Sequence, residues 1–99
     1  YGGRPSFLGY TVDWAPTPYP SAVCVSVNNE VVHGLATANK IFKAGDAVGI
    51  DIGLEYKGFF TDMAKTVIVG RADPKITKLV KVTSQALVNG IDAIYPGNY

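Results

Sequence analysis

The sequence predicts an α+β fold: an antiparallel sheet followed by one long amphipathic C-terminal helix. Three features carry this expectation. Residues 22–27 and 47–54 alternate with the period of two that marks a half-buried strand, a four-residue reversal at 55–58 joins the second of these to a return strand, and an apolar stripe of helical spacing fills the last quarter of the chain. Ninety-nine residues of 10.5 kDa leave room for one domain or part of one. With 47% hydrophobic and 17% charged residues the chain has the material for a core and lacks the composition of a disordered protein.

Before the first strand, Ala15-Pro16-Thr17-Pro18-Tyr19-Pro20 places proline at alternate positions and predicts an extended, irregular loop. Ala22 to Val27 reads Ala-Val-Cys-Val-Ser-Val, β-branched and closed by the turn pair Asn28-Asn29. Val31 and Val32 resume briefly before His33-Gly34. A second turn signal, Lys43-Ala44-Gly45-Asp46, precedes the strictly alternating strand Ala47 to Leu54. Val48, Ile50, Ile52 and Leu54 form an aliphatic face, and Ala47, Gly49, Asp51 and Gly53 a small and acidic one. Glu55-Tyr56-Lys57-Gly58 suits a tight reversal, and Phe59 to Val69 reads as the antiparallel return. Asp73-Pro74 then offers an N-cap with proline at the first helical position. Ile76, Val80, Leu87, Ile91 and Ile94 follow at helical spacing, with Thr83 in the one polar gap, and the helix is expected to lie on the sheet and end near Tyr95-Pro96-Gly97.

Nine basic against eight acidic residues give a formal charge of +1, without the basic excess of a nucleic-acid binder, so nucleic acid is not an expected partner. No apolar run approaches the roughly 18 residues of a membrane span, so no membrane partner is expected either. A single cysteine, Cys24, can form no internal disulfide, which favours a reducing, cytoplasmic setting. The start, Tyr1-Gly2-Gly3-Arg4-Pro5, has neither an initiator Met nor the order of a signal peptide, as expected of a processed or excerpted chain.

Asp51 lies mid-strand between glycines, where an ionised carboxylate is costly unless paired or metal-bound. If residue 54 faces 59 across the reversal, Asp51 stands directly opposite Asp62, with Cβ atoms about 4.5 to 5.5 Å apart. Two like charges at that distance repel unless one takes a proton or a cation lies between them. A divalent metal would resolve the conflict. From spacing alone the pair also fits a solvent-facing edge, and His33 alone fits a turn-capping or hydrogen-bonded structural residue.

Read together, Val23-Cys24-Val25-Ser26-Val27-Asn28-Asn29-Glu30-Val31-Val32-His33-Gly34, Gly45-Asp46 to Ile50-Asp51, and Gly58-Phe59-Phe60-Thr61-Asp62 resemble type I methionine aminopeptidase over nearly the whole chain. That family carries a "S-x-N-x-E-V-x-H-G" block, a metal-binding Asp eighteen residues after the His and a second eleven residues further. His33, Asp51 and Asp62 match both intervals. Prolidase and other pita-bread relatives share the Asp pair, but the Asn-Asn-Glu-Val-Val-His-Gly block points to the methionine enzymes.

The resemblance implies half of a pita-bread (creatinase/aminopeptidase-like) fold, residues 1–99 being the N-terminal half of a peptidase catalytic domain. It implies removal of the initiator Met from nascent polypeptide N-termini, with two divalent metal ions (Co, Mn, Fe or Zn) and a hydroxide between them attacking the scissile carbonyl. Asp51 would chelate one metal and Asp62 bridge both, while His33 would contact substrate near the scissile amide. Phe7, Tyr10, Tyr19 and Cys24 match positions lining the methionine side-chain pocket, aromatic rings and a thiol suited to a thioether. The sequence departs from the pattern in three places. Phe7 stands where many relatives have Cys, Leu35-Ala36 replaces an aliphatic-Pro pair, and Thr11 to Pro18 lengthens the connection between the pocket tyrosines. The further His and Glu ligands of the family's second half do not occur here, so that missing half is an expected partner. The competing reading is a non-catalytic pita-bread fragment or binding module.

Overall fold

The computed structural model describes residues 1–98. Strands β1 (Arg4–Pro5), β2 (Cys24–Val27), β3 (Ala47–Tyr56) and β4 (Phe59–Ile68) form one antiparallel sheet, and helix α1 (Pro74–Asp92) follows. β3 is central. Its whole length pairs with β4 on one edge, while the other edge is shared, with Cys24–Val27 opposite 48–51 and Arg4–Pro5 opposite 54–55. Between these two partners only Gly53 is engaged, its carbonyl accepting from the Ser6 N–H at 2.9 Å.

β1 was not expected, since two residues carry no periodicity; Arg4 is held by pairing opposite Glu55 and by an ion pair with its carboxylate. β2 starts at Cys24, two residues later than the alternation suggests. The hairpin register also differs from expectation. Tyr56 faces Phe59, so the turn has two residues, Lys57 and Gly58, with φ of 51° and 82°. Positive φ at both central residues gives a turn whose twist matches that of the strands, so pairing extends to the end of each strand. Asp62 therefore faces Gly53, and Asp51 faces Ala64. The slip amounts to two positions along one strand, which keeps both carboxylates on the same face of the sheet.

Asp73 caps α1 as expected, its carboxylate accepting from the Lys75 N–H at 2.7 Å with Pro74 inside the first turn. The helix ends at Asp92, earlier than expected, with Ala93 as its C-cap. Its apolar stripe does not lie on the sheet. The helix touches β4 sparsely; Ile76 and Val80 are half-buried, whereas Leu87 and Ile91 are 61% and 56% exposed. The aliphatic face of β3 is likewise partly open, with Ile52 half-exposed and its partner Met63 68% exposed. Among the described residues Cys24 and Val48 alone are fully buried apolar side chains.

Candidate metal centre

Strand alternation puts Asp51 and Gly53 on one face of β3, and the register adds Asp62 from β4 and Cys24, paired with Asp51, from β2. Burial pushes the Asp51 carboxyl above its ordinary value, the Asp62 charge beside it pushes it further, and His33 acts in the opposite sense. Asp51 Oδ1 is buried with no hydrogen-bond partner. An anionic oxygen without a donor, facing a second carboxylate, suits a divalent cation, for which carboxylate oxygen is the ordinary ligand. Asp51 and Asp62 therefore fit such a group as part of a donor set. Among the described residues no three His, Cys, Asp or Glu side chains are grouped to hold a metal.

His33 reaches this face on the loop after β2. Its backbone is left-handed, φ 57°, a conformation uncommon outside glycine but more frequent for His and Asn than for most residues. Gly34 anchors the loop: Val25 donates to its carbonyl at 2.8 Å, and its N–H donates to Ser26 Oγ at 3.2 Å. The approach is so close that a Cβ on Gly34 would collide with the Val25 carbonyl and lie 2.9 Å from Ser26 Cα. On the far side of the loop Lys40 Nζ donates to both Glu30 carboxylate oxygens (3.0 and 2.9 Å) and to the Val25 carbonyl (2.8 Å), while Glu30 accepts from the Val27 N–H at 2.7 Å.

The four expected pocket residues meet this face unequally. Cys24 is buried directly across from Asp51. The Tyr19 hydroxyl donates to the Gly34 carbonyl at 2.9 Å, and burial, reinforced by Cys24, raises its pKa far above that of a free phenol, so it stays a donor. Tyr19 thus holds the His33 loop. The Phe7 ring lies over Gly53. Tyr10 joins only through its backbone, accepting from the Tyr19 N–H at 2.8 Å, and its side chain is exposed at the rim. The Glu30–Lys40 pair has no local sequence signal beyond the place of Glu30 inside the Asn-Asn-Glu-Val-Val-His-Gly block. Phe60, by its even spacing from Asp62, also lies on the acidic face.

The architecture and the acidic face define an α+β scaffold with a pair of carboxylates suited to a divalent cation. Residues 8–99 match metallopeptidase family M24, and the chain belongs to that family. It is 46% identical over 96 residues to a methionine aminopeptidase of Aquifex aeolicus, covering 97% of this chain and 37% of the relative. It is 41% identical to one of Borreliella burgdorferi, covering 96% and 35%. The crystal structure of methionine aminopeptidase from Thermotoga maritima superposes with a TM-score of 0.87 at 45% identity, covering 96% of this chain and 36% of that one. The enzyme from Rickettsia prowazekii gives 0.77 at 31% identity, covering 90% and 33%. The fold is that of these pita-bread enzymes, and the chain spans little more than a third of the length of the relatives it matches.

Proposed function

We propose that this chain is the N-terminal part of the catalytic domain of a cytoplasmic, metal-dependent methionine aminopeptidase that removes the initiator Met from nascent polypeptides. The observation that carries the reading is the placement of Asp51 and Asp62 on one face of a single hairpin, with one Asp51 oxygen buried and without a hydrogen-bond partner. Asp51 and Asp62 would hold divalent metal together with ligands from the rest of the domain. Bound there, the metal would supply Lewis-acid polarisation and a water of lowered pKa.

The chain's own residues do the remaining work. His33 presents an exposed imidazole on a loop fixed from two sides, by Tyr19 and by the Glu30–Lys40 pair, so that its N–H can donate to a substrate near the scissile amide. Holding a non-glycine residue in the left-handed region costs on the order of 1–3 kcal/mol, which the loop's anchors offset. Cys24 and Phe7 give the acidic face an apolar flank for the substrate side chain.

The test is release of free Met from Met-Ala-Ser by the complete polypeptide that carries this chain, with Co²⁺ or Mn²⁺ added. Metal-dependent release is expected. A complete polypeptide that binds metal but releases Met from no peptide would instead make this face part of a non-catalytic module.

A further inference from the structure

Gly53 faces Asp62 across the hairpin, at the point where neither β1 nor β2 pairs fully with β3. A Cβ built on it would lie 2.7 Å from Phe7 Cε1 and 3.1 Å from Cζ, inside van der Waals contact. The ring can occupy this place only because residue 53 has no side chain. Phe7 is brought there by its backbone: β1 pairs with 54–55, and the Ser6 N–H donates to the Gly53 carbonyl. Beside the ring opens a cavity of about 230 Å³ lined by Ser6, Phe7, Gly53, Phe60, Thr61 and Asp62. Two aromatic rings and a bare backbone thus flank an open space next to one carboxylate of the candidate metal centre.

We propose that Gly53 is a specificity-determining positioning residue: by seating Phe7 against β3 it sets the width of the cavity beside Asp62 and fits it to an unbranched apolar side chain of the substrate. This rests on the aminopeptidase reading. Asp62 lines the cavity, so a peptide held at a metal on Asp51 and Asp62 would have its first side chain beside it, and a flexible thioether or n-alkyl chain packs well against aromatic faces. A β-branched chain is stiff next to its own backbone and adapts less readily to the space beside the Phe7 ring. Gly53→Ala would push the end of the ring into the cavity, and the sheet itself need not move, because the nearest atoms belong to the far end of a side chain.

The experiment uses the complete polypeptide and four forms: wild type, Gly53→Ala, Phe7→Ala and the double variant. Affinity for methioninamide is measured by calorimetry, KM and kcat with Met-Ala-Ser, and bound metal by elemental analysis. Gly53→Ala is expected to weaken methioninamide binding and raise KM about tenfold or more, the scale of one misplaced methylene group in an apolar pocket, with kcat within about twofold and metal unchanged. In the Phe7→Ala background the same substitution is expected to have no further effect, since the two act as a unit. Equal effects in both backgrounds, an unchanged affinity, or loss of metal in Gly53→Ala would overturn the proposal. NMR gives an independent check: the Gly53 α-protons of the wild type should be shifted by the Phe7 ring current and relax to ordinary values in Phe7→Ala. Absence of that shift overturns the seat itself. Methioninamide binding that responds to Gly53→Ala in a protein releasing no Met supports the pocket and sinks only the aminopeptidase reading.

Discussion

Asp51 and Asp62 carry like charges on adjacent strands, and burial of Asp51 makes the arrangement more costly still. Such a pair gives the neighbouring residues distinct, separable roles. In the complete polypeptide, Asp62→Asn is expected to lose metal and activity together, because a neutral amide cannot offset cationic charge. His33→Ala is expected to keep its metal and lose about 10² to 10³ in kcat, the usual effect of removing one positioned hydrogen-bond donor. Metal analysis of both variants beside their kinetics separates the two roles; a metal-free His33→Ala would move His33 into the ligand set.

The loop that presents His33 is an element in its own right, and its anchors at Gly34 and at the Glu30–Lys40 pair fail differently. Gly34→Ala places a methyl group against the Val25 carbonyl and Ser26 Cα, backbone atoms fixed by the sheet. It should cost about 1–3 kcal/mol, as overpacking does, and lower the thermal midpoint, whereas Gly9→Ala, with open space around it, should act through its backbone alone. The second anchor depends on pH. Lys40 beside Glu30, helped by the Val27 N–H, holds the Glu30 carboxyl below its ordinary value. A depressed carboxylate contributes fully above its unfolded pKa, and the contribution is lost as pH falls through the lower folded value. The Val27 amide resonance should therefore titrate below the usual glutamate range, and Glu30→Gln should abolish that titration. The hairpin and α1 were legible in the sequence because alternation and the Asp73-Pro74 cap are local signals. The register was not, because a four-residue and a two-residue reversal fit the same Glu55–Gly58 stretch and only the φ values of Lys57 and Gly58 decide between them. Resemblance alone singles out His33, Asp51 and Asp62, and the hairpin places the two carboxylates on one face. The Phe7–Gly53 contact was not legible, since it joins residues 46 positions apart through a strand too short to show a pattern.

At the scale of the whole molecule, the pattern that predicted a helix packed on a sheet is present but its two apolar surfaces stay largely open. Leu87 and Ile91 on α1, and Met63 and Phe59 on β4, are all more than half exposed. A single domain normally hides such surfaces, and contiguous exposed apolar patches are where another part of a protein docks or where chains aggregate. The relatives are almost three times as long as this chain, so the remainder of a complete domain is a natural cover under the proposed reading. The 99-residue chain alone should then bind the dye ANS, self-associate, bind divalent metal weakly and release negligible Met from Met-Ala-Ser, since two carboxylates leave a cation under-coordinated. Adding the separately expressed remainder of the complete polypeptide should suppress dye binding and restore metal-dependent release together, because one surface and one site would be completed in the same step. Robust turnover by the chain alone would show that self-association or a different donor set completes the centre, and dye binding that persists while activity returns would uncouple the exposed faces from assembly of the site.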